Sequence, residues 1–155
     1  MFASVAVARL SPDLRSMTSD PISSSTRPLR VLIVEDEALI SLHLQDVLRD
    51  LGHSVSGIAP SLRTALAVAA GTPSDLAIVD VGLVGDGGDG IDTAAALRDR
   101  YGIPSLLMTG ASFEEFGDRI RDADPVGLLT KPYTEEDIAN ALGGALEKLS
   151  SGPST

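Results

Sequence analysis

The sequence predicts a doubly wound α/β domain, with a five-stranded parallel sheet and five helices. Three observations carry this. Short apolar runs alternate with segments of helical period five times over. The runs lack polar alternation, as strands covered on both faces require. Helix-length connections with right-handed crossovers leave the doubly wound arrangement as the simplest solution.

The elements follow in order. RVLIV, residues 30–34, reads as a buried strand. The next segment sets Ile40, Leu44, Val47, Leu48 and Leu51 on one helical face, and Gly52 stops it. HSVSGIA is a short second strand, followed by the helix SLRTALAVAA, which Ser61 can cap and Gly71 ends. LAIV is the third strand, and IDTAAALRDRYG is a helix closed by Gly102. IPSLLMT is the fourth strand. SFEEF opens the next helix, with Ser112 and Glu115 in capping-box spacing and Phe113, Phe116 and Ile120 on its apolar side. VGLLT is the fifth strand. The last helix starts at Thr134 and buries Ile138, Leu142, Ala145, Leu146 and Leu149.

The 155 residues suit one domain. Residues 1–28, rich in Ser, Pro and Thr, are expected to be a disordered tail. Residues 29–149 form the folded unit and 150–155 a second loose end. At 43% hydrophobic but 3% aromatic, the core must be built from Val, Leu, Ile and Ala. The net charge of −10 repels phosphate backbones and argues against direct nucleic-acid binding. The absence of cysteine excludes disulfides and thiolate metal sites. No apolar run is long enough to span a bilayer and no secretory signal is evident, so no membrane partner and a cytoplasmic location are expected.

In such folds ligands bind beyond the carboxyl ends of the strands. The first strand is followed by Glu35, Asp36 and Glu37, and the third by Asp80. Thr109 stands at the end of the fourth, with Gly110 and Ala111 after it, and Thr130, Lys131 and Pro132 end the fifth. Crowded carboxylates repel by about 4 kcal/mol per pair at about 4 Å and an effective dielectric near 20, so they need a proton or a divalent cation. Oxygen donors without Cys or nearby His favour Mg²⁺, or Mn²⁺, over zinc. Thr109 and Lys131 suit two further phosphoryl oxygens, one by hydrogen bond and one by charge. The set reads as a phosphoryl-transfer site with a carboxylate nucleophile, and Asp80 on the central strand is the candidate.

The acidic pair in VEDE, the aspartate of LAIVD, the threonine of LLMTG and the lysine of LLTKPY resemble the receiver domain of two-component response regulators. The resemblance covers about residues 29–149 and implies the (βα)5 flavodoxin-like receiver fold. It implies that Asp80 accepts a phosphoryl group from a histidine kinase or histidine phosphotransfer protein. Glu35, Asp36, Asp80 and the backbone carbonyl of Gly82 would hold Mg²⁺. Thr109 would move toward the phosphoryl oxygens, Lys131 would pair with them, and the Lys131–Pro132 peptide would be cis.

Two departures stand out. The Met-Pro pair usual after the phosphorylated aspartate is replaced by the glycine-rich VGLVGDGGDG. With the glycine of MTG, this resembles the FAT-GUY subgroup of α-proteobacterial receivers, many of them stand-alone. The aromatic usual three positions before the lysine is Leu128, so the familiar threonine–aromatic switch does not carry over.

Other residues have plainer readings. Glu37 is a first-turn acid favoured by the helix dipole. Asp86, Asp89 and Asp92 read as solvated loop acids, with a place near the metal open to some of them, His43 and His53 as surface residues, and Phe113, Phe116 and Ile120 as core contacts. The expected function is a single-domain phosphoacceptor acting through a downstream protein target. The face of the fourth helix, fifth strand and fifth helix, which commonly carries output in this family, also allows a weak homodimer. The enzyme alternative, a haloacid-dehalogenase-like phosphatase, needs a second acid two residues after the nucleophile, where Gly82 stands. A phosphorylation-independent adaptor would not need the acid, Thr and Lys set.

Overall fold

The computed structural model describes residues 27–151 except 86, 111 and 112, with 113, 114 and 151 described by backbone alone. The five strands are β1 (Arg30–Val34), β2 (Ser54–Ala59), β3 (Leu76–Asp80), β4 (Ser105–Thr109) and β5 (Gly127–Thr130). They alternate with α1 (Ala38–Asp50), α2 (Leu62–Gly71), α3 (Gly90–Tyr101), α4 (Phe113–Ala123) and α5 (Glu135–Ser151). All pairings are parallel in the order β2-β1-β3-β4-β5. The strand order reverses between β1 and β3, the place where such folds open a crevice.

Alternation along each strand splits the core into two layers. Val31, Ile33, Ile78, Leu106 and Met108 pack with Leu44, Val47 and Leu48 of α1 and Ile138, Leu142 and Leu146 of α5. Leu32, Val34, Ala77, Val79 and Leu107 face Ala65 of α2, Leu97 of α3 and Ile120 of α4. Each fully buried Leu or Ile contributes about 1.5–3 kcal/mol, so both faces of the sheet must stay covered. Among the described residues, no helix is long and apolar enough to cross a membrane.

Helix starts are set by side chains that satisfy free amides. Ser61 caps α2 reciprocally with Thr64, and Thr134 does the same for α5 with Asp137. At α3, Asp89 accepts the Asp92 N–H while Asp92 accepts the Asp89 N–H. Gly102 ends α3 at a φ of 66°, a left-handed conformation that glycine adopts without strain. The Ser112–Glu115 capping box rests on Ser112, outside the described residues, as is the side chain of Phe113.

Several expectations are corrected. Leu51 is the C-cap of α1, one residue past its end, and is 39% exposed. Leu149 is half-buried rather than buried. His53 is no surface residue: it is 7% exposed, and its Nδ1 accepts the Leu29 N–H at 3.0 Å. Burial also lowers its pKa, which keeps that acceptor unprotonated.

Asp89 and Asp92 are not free loop acids either. Besides capping α3, they receive the guanidinium of Arg119 from α4, at 2.8 and 3.0 Å for Asp89 and 3.1 Å for Asp92. Arg98 of α3 answers at the other end, donating to the carbonyls of Asp122 and Ala123. Two arginines thus tie α3 and α4 together.

Candidate active site

Strand register brings the predicted residues to one edge. Val34 pairs with Val79, which sets Glu35 beyond β1 near Asp80, the last residue of β3. Asp80 pairs with Met108 and Thr109 with Thr130, so Lys131 reaches the same edge from β5. The Lys131 N–H donates to the Thr109 carbonyl at 2.9 Å, and the Lys131–Pro132 peptide is cis.

Asp80 is 7% exposed. Its Oδ1 accepts from Lys131 Nζ at 3.1 Å and from the Gly82 N–H at 3.0 Å. Burial alone would lower the Lys131 pKa, but the hydrogen bond and charge of Asp80, with help from Glu35, leave it above its usual value. Lys131 therefore stays cationic against a mostly dehydrated carboxylate.

Glu35 is 2% exposed. One oxygen accepts the Glu37 N–H at 3.1 Å, while Oε1 is buried without a hydrogen-bond partner. Burial, opposed by that amide and reinforced by the charge of Asp80, pushes the Glu35 pKa up to about 7. An orphaned, dehydrated carboxylate oxygen is costly unless a proton or cation meets it. Glu35, exposed Asp36 and Asp80 each offer an oxygen, all within 4.8 Å of one another. This all-oxygen set fits a hard divalent cation. Among the described residues Glu37, Asp89 and Asp92 are not part of that group. Asp86 falls outside the description.

Asp80, Gly82, Thr109, Phe116 and Lys131 line a cavity of about 240 Å³. Thr109 is 4% exposed, held there by the end of β4. Leu128 does not line this cavity and is 41% exposed. Sequence reasoning placed Phe116 in the core alone. It does pack on the α4-side layer, but its ring also walls the cavity. The available signal was its position one turn into the helix that follows Thr109.

The chain is 35% identical over 121 residues to the transcriptional regulatory protein PdtaR of Mycobacterium tuberculosis, covering 78% of this chain and 58% of PdtaR. It is 31% identical over 119 residues to the phyllosphere-induced regulator PhyR of Methylorubrum extorquens, covering 75% of this chain and 43% of PhyR. The chain thus spans about half the length of these relatives. Its fold resembles the solution structure of the Erythrobacter litoralis PhyR REC domain, with a TM-score of 0.68 and 30% identity. That match covers 83% of this chain and 96% of the REC domain. Residues 31–143 match the response regulator receiver domain as a family, and with the five-stranded parallel sheet and the acidic edge in place, the chain belongs to that family.

Proposed function

We propose that Asp80 accepts a phosphoryl group from a histidine kinase or histidine phosphotransfer protein and passes the signal to a downstream protein target. The observation that carries this is the Asp80 carboxylate itself. It is held by Lys131 Nζ and the Gly82 amide, in a cavity beside two more carboxylates. Residues 29–149 would form the receiver unit, working in the cytoplasm where such donors act. The net charge of −10 supports output through protein contacts rather than nucleic acid.

In this reading an Asp80 oxygen attacks the phosphorus of a phosphohistidine, the P–N bond breaks, and the imidazole leaves with that electron pair. Lys131 Nζ and the Thr109 hydroxyl bind phosphoryl oxygens, one by charge and one by hydrogen bond. Glu35, Asp36, Asp80 and the Gly82 carbonyl would hold Mg²⁺, or Mn²⁺, which when bound offsets the negative charge gathered on carboxylates and phosphoryl group. A phosphatase of the dehalogenase type lacks its general acid here, because position 82 contributes only a backbone amide toward Asp80.

The test is label from acetyl phosphate. Stable incorporation that requires Mg²⁺ and disappears in Asp80→Asn is expected; unchanged labelling of that variant refutes the assignment.

A further inference from the structure

The ring at the Asp80 cavity comes from α4. Phe116 is half-buried, packs on the layer that holds Val79, Val81 and Leu107, and lines the cavity with Thr109 and Lys131. It shares one side of its helix with Arg119 and Ile120, three and four residues on. Ile120 is buried in the same layer, and Arg119 is clamped to Asp89 and Asp92. Those two acids cap α3, whose first residue, Gly90, lies against the carbonyl of Asp80. The ring is therefore held beside the carboxylate by a frame that begins at the peptide of Asp80.

We infer that Phe116 restricts water entry to phosphorylated Asp80 and thereby sets how long the phosphoryl group persists, with Arg119 as the residue that positions it. This rests on Asp80 being the phosphoacceptor. In the loss reaction water attacks phosphorus and the bond from phosphorus to the Asp80 oxygen breaks. Carboxylate and inorganic phosphate result, and the proton given up by water goes to solvent. The cavity of about 240 Å³ has room for a phosphoryl group and some water, since a water molecule occupies roughly 30 Å³ in the liquid. A phenyl wall offers such water no hydrogen-bond partner, so attack from that side is disfavoured. Truncating the ring opens that side.

The experiment uses the full chain, phosphorylated with acetyl phosphate and Mg²⁺, freed of donor, and followed for remaining acyl phosphate. Phe116→Ala should lose it about tenfold faster than the unsubstituted chain, Phe116→Leu at an intermediate rate, and Arg119→Ala faster than the unsubstituted chain. If the alanine variant at 116 does not fold, the leucine variant carries the same comparison. A second readout is the fluorine NMR spectrum of the beryllofluoride complex. Loss of the ring current in Phe116→Leu should shift its resonances, an effect that lowered stability alone does not produce. Rates that agree within about twofold, or unmoved fluorine resonances, overturn the inference. A chain that takes no label overturns the phosphoacceptor reading and the inference with it, whereas labelling with equal decay rates removes the inference alone.

Discussion

Replacing Gly90 by alanine tests whether α3 is braced on the peptide of Asp80. A Cβ at position 90 would stand 1.9 Å from the Asp80 carbonyl oxygen, 2.7 Å from its carbon and 2.9 Å from Val81 Cα. Cβ atoms essentially never come within 3.0 Å of such neighbours, so the two backbones must part by about 1 Å. All three obstacles are main chain, and no rotamer change relieves them. Overpacking of a core costs about 1–3 kcal/mol, and a main-chain clash belongs at the top of that range. With a urea m-value of about 2 kcal/mol/M, a loss of about 3 kcal/mol lowers the unfolding midpoint by about 1.5 M. Phosphorylation should suffer as well, since a displacement of about 1 Å at a reacting group can cost about a hundredfold in rate. Gly144→Ala is the control. It sits in α5 with nothing within 4 Å of its added methyl, so it should gain up to about 1 kcal/mol from helix propensity. A midpoint for Gly90→Ala within about 0.3 M of the unsubstituted protein would refute the bracing argument.

Two pH effects follow from buried groups. Burial keeps Glu35 protonated up to about pH 7, so a cation binding there must displace a proton. Mg²⁺ affinity measured by calorimetry should therefore be about tenfold weaker at pH 6 than at pH 8; a pH-independent affinity contradicts Glu35 as a ligand. His53 works through stability. Its folded pKa lies below the free value of 6.5, so the unfolded chain binds the proton more readily. Its contribution is complete above pH 6.5 and is lost as pH falls below it through the lowered folded value. The stability advantage over His53→Ala, read from urea melts, should shrink from pH 7.5 to pH 5; an advantage constant with pH contradicts the neutral-acceptor role.

Much of this molecule is legible in its sequence because its governing interactions are local or periodic. Apolar runs such as Leu76–Val79 mark strands by themselves, and the two-sided burial of β3 and β4 is what their unbroken hydrophobicity implies. The acidic edge is legible for a related reason: in a parallel sheet the ends of alternate elements share one rim, so Glu35, Asp80, Thr109 and Lys131 must meet once the strands are placed. Contacts made across the fold are another matter. His53 is drawn inward by the amide of Leu29, 24 residues away, which no periodicity encodes. Asp89 and Asp92 carry a local capping signal that the glycine-rich context masked, but their bond to Arg119 depends on how α4 packs. The double role of Phe116 is harder to read: its place one turn into the helix after Thr109 is a hint, but its apolar pattern is none. An apolar residue on an apolar helix face looks identical whether its outer edge meets more core or a cavity.

The two arginines that join α3 and α4 do so with different chemistry, and this makes the two ends of the seam respond differently to salt. At one end Arg119 meets carboxylates in a half-open setting, with side chains 45% exposed for Arg119 and 28% and 51% for Asp89 and Asp92. Ion pairs of that kind weaken as dissolved salt rises. At the other end Arg98 grips neutral carbonyls of Asp122 and Ala123, where one partner carries no net charge to screen. Ionic strength therefore loosens the clamp at Arg119 more than the grip at Arg98, so the two ends of the α3–α4 seam differ in how firmly they hold as salt rises.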